Sequence, residues 1–174
     1  MSQSILRNAQ RAALRFASRF PTPLGQMRVV LDGGGSVVQL EFCRRANEPS
    51  GDDRAESGPC REVRRQLEEY FHGKRRSFDL RLAPQGTLFQ AAVWKELLGI
   101  PFGERVTYRE LAARIGRPAA SRAVGGANGA NPIAVVIPCH RVVGSDGSLT
   151  GYGAGVSIKR WLLDLESEVR RSRL

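Results

Sequence analysis

The fold of the second half turns on one stretch, Thr107-Tyr108-Arg109-Glu110-Leu111-Ala112-Ala113-Arg114-Ile115-Gly116-Arg117-Pro118-Ala119-Ala120-Ser121-Arg122-Ala123-Val124-Gly125-Gly126-Ala127. Thr107 with Glu110 three residues on has the spacing of a capping box. A helix should open there and turn Leu111, Ala112 and Ile115 inward. Gly116 and Pro118 break it, and a proline suits the first turn of a new helix running to about Ala127. Two short helices with a tight glycine-containing turn predict a helix-turn-helix. The second helix is unusual, since the consecutive Gly125 and Gly126 cost roughly 2 kcal/mol in propensity. Such small residues let another backbone come close, either a packed helix or a nucleic-acid strand. Arg122 is the one long side chain of a helix thin enough for a minor groove. A reader of major-groove base edges would carry several long polar side chains, which argues against a sequence-specific regulator.

Working outward, Phe89, Val93, Trp94 and Leu97 mark an amphipathic helix that ends before Pro101. The apolar run Ile133-Ala134-Val135-Val136-Ile137 reads as a buried strand leading through Pro138 to Cys139. Ile158, Trp161, Leu162 and Leu165 define the inward stripe of a final helix, followed by a basic tail that should fray. Towards the N-terminus, Gly25–Leu31 and Ser36–Phe42 alternate around Asp32-Gly33-Gly34-Gly35, a hairpin pattern. Residues 45–59 are polar and read as a mobile loop. Val63, Leu67, Tyr70 and Phe71 recur at helical spacing up to Gly73, and Phe78 with Leu80 suggests one more strand. Residues 1–19 contain arginine and serine but no acid; this superficially resembles a transit peptide, and a short helical arm is the better reading. The chain therefore divides into an N-terminal α/β lobe with a small antiparallel sheet (1–82), a linker (83–87) and a mostly α C-terminal lobe with the helix-turn-helix (88–174).

The 174 residues hold 27 Lys and Arg against 17 Asp and Glu, a net charge of +10, and most of the cations are arginine. A planar, bidentate cation suits phosphate, which puts nucleic acid first among partners. Genome composition is the competing explanation for the arginine. No apolar run is long enough to cross a bilayer. Three cysteines, Cys43, Cys60 and Cys139, with no C-x-x-C pair, argue against a disulfide framework and a complete zinc site. A Cys43–Cys60 bridge or a partial metal site with His72 stays open. A reducing cytoplasm fits this cysteine usage.

Cys139 directly precedes His140, one of only two histidines. A thiol at a strand end beside an imidazole can be shifted toward thiolate, the nucleophilic form. A buried structural cysteine is the bland alternative.

Taken together, Phe89-Gln90-x-x-Val93-Trp94, Pro101-Phe102-Gly103, Thr107-Tyr108, Arg122-Ala123-Val124-Gly125, Asn131-Pro132, Ile137-Pro138-Cys139-His140-Arg141-Val142, Gly151-Tyr152 and Lys159 to Glu166 resemble the O6-alkylguanine-DNA alkyltransferases. The first lobe matches more loosely, through Pro23-Leu24-Gly25 and Tyr70-Phe71-x-Gly73. The resemblance implies irreversible, single-turnover transfer of an alkyl group from O6-alkylguanine in double-stranded DNA to Cys139, after base flipping and without a cofactor or metal. It implies His140 as base through a water, Glu166 orienting and charge-balancing the imidazole, and Asn131 as a hinge. Tyr108 would hydrogen-bond the flipped guanine and press on a phosphate. Arg122 would fill the gap in the stack, with Thr107, Ala123 and Gly126 also at the DNA. Val142, Tyr152, Gly153 and Lys159 would contact the substrate. A monomer is expected to act; cooperation on DNA, O4-alkylthymine as substrate and the preferred alkyl size stay open. Ala134 stands where some members have proline and Gly153 where others have serine. A Cys-His hydrolase would leave the glycine-rich helix and the basic charge unexplained, and a damage sensor of the alkyltransferase-like kind would lack Cys139.

Overall fold

A computed structural model describes residues 16–43 and 58–172, which form two compact units dividing between Pro84 and Gln85. The first unit is built on a three-stranded antiparallel sheet in the order β1 (Phe16–Thr22), β2 (Gly25–Leu31), β3 (Val37–Phe42). The β2–β3 hairpin turns where expected. The Asp32 carboxylate accepts from the backbone N–H groups of Gly34 and Ser36, both at 2.9 Å, and Gly35 takes φ 79°. Strand β1 is a correction to the helical-arm reading. Phe16–Thr22 pairs in full register with β2, from Phe16 opposite Leu31 to Thr22 opposite Gly25. Pro21 is tolerated because β1 is an edge strand.

Helix α1 (Gly58–Phe71) buries Cys60, Val63, Leu67, Tyr70 and Phe71 along one stripe. Gly58 and Pro59, expected at the end of a loop, already belong to this helix, where a proline is at home in the first turn. The rest of that loop, and the segment before Phe16, lie outside the described residues. The expected strand at Phe78 and Leu80 is absent. Two hydrogen bonds, Val37 N to Arg81 O at 2.7 Å and Ala83 N to Val37 O at 2.9 Å, frame a single bridge at Leu82 instead. The extended piece is fixed by the Gln66 amide, which bonds both the N–H and the C=O of Asp79.

The second unit is helical: α2 (Leu88–Leu98), α3 (Tyr108–Arg114), α4 (Ser121–Gly129) and α5 (Val156–Arg171), with a two-residue parallel pair of β4 (Val106–Thr107) and β5 (Val142–Val143). Thr107 caps α3 as read from the sequence: its side chain accepts from Glu110 N, and the Glu110 side chain accepts from Thr107 N. Gly116 takes φ 71° in the turn, a short 3₁₀ segment at Pro118–Ala120 follows, and α4 completes the helix-turn-helix. Trp94 on α2 donates its indole N–H to Ala127 O at 2.9 Å, tying the end of α4 to the core.

Two expectations fail here. Residues 133–137 form no strand; they coil into tight turns, with Val135 at φ 71° and Ile137 N bonded to Ile133 O. A β-branched residue at positive φ costs on the order of 1–3 kcal/mol and persists only where its surroundings enforce it. Asn131 supplies that enforcement, accepting from Ile133 N at 3.0 Å and donating to Ile137 O at 2.8 Å. The inward stripe of α5 is also rotated: Lys159, Leu162, Leu163 and Glu166 are buried, whereas Ile158, Trp161 and Leu165 are only partly covered. Periodicity of apolar residues points the helix the wrong way because two charged side chains have buried partners. Among the described residues no helix is long and apolar enough to cross a membrane, no group of metal-binding side chains assembles, and no disulfide joins Cys43 to Cys60.

Candidate active site

Cys139 opens a one-turn 3₁₀ helix, Cys139–Arg141, between the turns of 133–137 and β5. The sulfur accepts a hydrogen bond from Asn131 Nδ2 at 3.1 Å. Burial pushes the thiol pKa up, with the Asn131 bond and the Lys159 charge acting against it. Burial thus favours the neutral thiol, so the position beside an imidazole does not by itself shift Cys139 toward thiolate.

His140 is fully buried, and its Nε2 lies 2.9 Å from Glu166 Oε1 on α5. Its other ring nitrogen, Nδ1, is buried with no protein partner. Among the described residues no hydrogen bond joins the His140 imidazole to the sulfur, although the backbone N–H of His140 reaches it.

Arg141, a residue without a role in the sequence pattern, explains the electrostatics. Its guanidinium is buried against Glu166, with Nε 3.0 Å from Oε2 and the terminal nitrogen 2.8 Å from Oε1, and it donates to Ile100 O at 2.6 Å. Gly103 N adds a bond to Glu166 Oε2 at 2.9 Å; this glycine sits at φ 76°, where a Cβ would meet Arg170 Cδ at 3.2 Å and Glu166 O at 3.3 Å. Burial pushes the Glu166 carboxyl up, but His140 and Arg141 outweigh it and hold the group at about 2. His140 moves down, chiefly through burial. The two shifts look contradictory for an ion pair, yet they agree once Arg141 is counted. Glu166 and Arg141 already cancel, so a proton on His140 would add an uncompensated buried charge. The imidazole is neutral, its Nε2–H points at Glu166, and Nδ1 keeps a basic lone pair. An arginine inside the apolar run from Ile133 to Val143 was the available signal, because such a cation is buried only with a partner.

An open cavity of about 820 Å³ is lined by Tyr108, Arg109, Ser121, Arg122, Gly125, Gly129, Thr150, Gly151, Tyr152 and Gly153, among others. Tyr108 donates to Thr150 O at 3.3 Å, and the Lys159 ammonium donates to the same carbonyl at 2.9 Å while lying 6.0 Å from the centre of the Tyr108 ring. Burial raises the Tyr108 hydroxyl, with Thr150 and Asn128 drawing it back. The Tyr152 hydroxyl is buried without a hydrogen-bond partner and is raised well above the usual value, first by burial and then by Cys139 beside it.

Residues 88–168 match the family described as 6-O-methylguanine DNA methyltransferase, DNA binding domain, and residues 17–84 match its ribonuclease-like domain. The chain belongs to the 6-O-methylguanine DNA methyltransferase family. A methylated-DNA–protein-cysteine methyltransferase of Methanosarcina barkeri is 64% identical over 106 residues, 61% of this chain and 67% of that one. One from Haemophilus influenzae is 44% identical over 150 residues, 84% and 83% of the two chains. The crystal structure of Mycobacterium tuberculosis OGT in complex with DNA superposes with a TM-score of 0.79 at 41% identity, covering 88% of this chain and 93% of that one.

Within this family member the sequence-derived residues fall into three groups. Asn131, His140, Glu166, Tyr108, Tyr152 and Lys159 gather around or behind Cys139. Arg122 and Gly153 line the cavity, and Ala123 and Gly126 lie exposed on α4. Thr107 is occupied in capping α3, and Val142 is buried in its pairing with Val106. Lys159 lies behind Tyr108 and Thr150 and is not among the cavity-lining residues.

Proposed function

We propose that this protein repairs O6-alkylguanine in duplex DNA by moving the alkyl group onto Cys139, once per molecule. The observation that carries this reading is the pairing of a buried thiol, held by Asn131 at 3.1 Å, with a neutral imidazole whose Nδ1 has no protein partner. His140 Nδ1 takes the thiol proton through a water. The sulfur then attacks the sp³ carbon of the alkyl group, the carbon–oxygen bond breaks, and its electron pair passes to the purine. The Tyr108 hydroxyl, at the cavity wall, donates to the ring as negative charge develops there. The product is a thioether, which water does not cleave, and no second nucleophile resets the sulfur. A DNA complex of the Mycobacterium tuberculosis relative supports DNA as the partner.

A base stacked in a duplex cannot enter such a cavity, so the nucleotide is flipped out. Helix α4 suits the minor groove for this step. A Cβ at Gly125 would meet only the Tyr108 ring at 3.8 Å, and one at Gly126 would meet nothing within 4 Å. Packing inside the protein therefore gives no reason for Gly126, where alanine would favour the helix by about 1 kcal/mol. Close approach of a DNA backbone does. Exposed Arg122 on this helix fills the vacated stack.

Two substrates test this. Wild-type protein should restore guanine in duplex O6-methylguanine DNA and also react with free O6-benzylguanine. Arg122→Ala should slow the duplex reaction roughly a hundredfold, the equivalent of a few kcal/mol of unstacking, and leave the free base almost unaffected. Equal losses on both, with a lowered melting temperature, would make Arg122 a brace of the fold and remove the flipping role.

A further inference from the structure

Asn128, in the last turn of α4, is 2% exposed and has no part in the chemistry so far. Its Nδ2 donates to the Cys139 carbonyl at 3.2 Å, while Asn131, three residues later, holds the Cys139 sulfur. The same amide stands beside the Tyr108 hydroxyl and draws its pKa down. Gly125, one turn earlier on the same face of α4, lies against the Tyr108 ring. One side chain thus reaches from α4 to the tyrosine of α3 and to the 3₁₀ turn that carries the nucleophile. Asn128 Oδ1, meanwhile, is buried with no hydrogen-bond partner. An orphaned amide oxygen costs about 1–3 kcal/mol, and a leucine of nearly the same size would remove that cost. The bond to the Cys139 carbonyl offsets that cost, so the N–H groups of Asn128 are what leucine cannot supply.

We propose that Asn128 is a positioning residue for alkyl transfer, a single amide that fixes the Tyr108 hydroxyl and the Cys139 backbone against one bound base. This rests on the alkyl-transfer reading above. One of the two N–H bonds of the amide is on the Cys139 carbonyl, and the other is available to the Tyr108 oxygen. A tyrosine hydroxyl that accepts such a bond becomes a stronger donor to the purine, because linked hydrogen bonds polarise one another. The 3.3 Å bond from Tyr108 to Thr150 O is long, so a bound base can displace it. Help of this kind matters most when the departing purine is the stronger base.

The experiment uses the full chain with O6-benzylguanine and with its 8-aza analogue, whose purine is the better leaving group. Asn128→Leu and Asn128→Ala are compared with Tyr108→Phe and with the Asn128→Leu/Tyr108→Phe pair. Rates are normalised to the benzyl groups accepted at completion, so that misfolded protein does not count. Asn128→Leu and Asn128→Ala should each slow O6-benzylguanine about tenfold, the worth of one hydrogen bond, and slow the analogue less. In the Tyr108→Phe background the further loss should shrink to the part that passes through the Cys139 carbonyl. Equal slowing of the two bases, or effects that multiply in the double variant, would overturn the proposal. Wild-type protein that accepts neither a benzyl group from the free base nor a methyl group from duplex O6-methylguanine DNA would instead remove the alkyl-transfer reading on which it stands.

Discussion

Cys139→Ser is expected to accept no alkyl group while binding DNA as tightly as the wild type. The reaction needs a soft, polarisable nucleophile at an sp³ carbon, and a buried hydroxyl is both harder and far less acidic than a buried thiol. His140 could not deprotonate it to any useful extent, so transfer should fall below detection. The fold should hold. Serine keeps an acceptor for Asn131 Nδ2, which now lies 3.1 Å from the sulfur, and its side chain is smaller by a fraction of a methyl group. A stability change of no more than about 1 kcal/mol is expected. The measurement pairs a transfer assay with salt-dependent DNA binding, whose affinity should fall steeply with salt and depend little on sequence, as the net charge of +10 implies. Transfer by Cys139→Ser at a measurable rate would move the nucleophile elsewhere.

The second large effect concerns Arg141. Replacing it with leucine leaves Glu166 buried with its main cation gone, and breaking such a pair costs about 3–5 kcal/mol. The double variant Arg141→Leu/Glu166→Leu should recover much of that loss, because it removes both charges. The pH dependence follows from the shifts. Glu166 is held at about 2, below its usual 4.5, so its contribution is complete above the unfolded value and is lost as pH falls toward 2. His140 is also lowered, so its neutral form is favoured in the fold and stability declines as pH falls below the unfolded imidazole value, about 6.5. Both groups make acid destabilising. In Arg141→Leu the carboxyl keeps His140 but loses one of the two partners that hold it ionised, so acid should harm the variant less. Thermal melts from about pH 8 down to about pH 3 should show the gap between wild type and variant widest near neutrality and narrowing in acid. A gap that is constant with pH would mean that Arg141 contributes packing alone.

Much of the fold was legible where its determinants are local. The Thr107–Glu110 capping box, the Gly116–Pro118 break and the Asp32–Gly35 turn each act within a few residues, and all three form as read. The features that escaped depend on contacts distant in sequence. Strand β1 is specified by pairing with β2, not by the arginine-rich composition of its surroundings. Residues 133–137 have the apolar character of a strand, but Asn131 supplies the bonds that coil them, at the expense of a positive φ at Val135. The face that α5 buries is set by Glu166 and Lys159 finding partners in Arg141, His140 and Thr150. A rule that sends charged residues to the surface has no access to those partners. The same limit obscured the charge balance of the site: Glu166 could be matched to His140 from the sequence, whereas the part Arg141 plays beside burial in keeping the imidazole neutral follows from contacts distant in sequence.

The most direct measurement is mass spectrometry after mixing the protein with an excess of duplex DNA containing O6-methylguanine. Trypsin releases Ala123 to Arg141, a peptide in which Cys139 is the only cysteine. One methyl group per intact protein, located on Cys139 and not increasing with further DNA, is the expected result. Methyl on Cys43 or Cys60, or more than one lesion repaired per molecule, would contradict it.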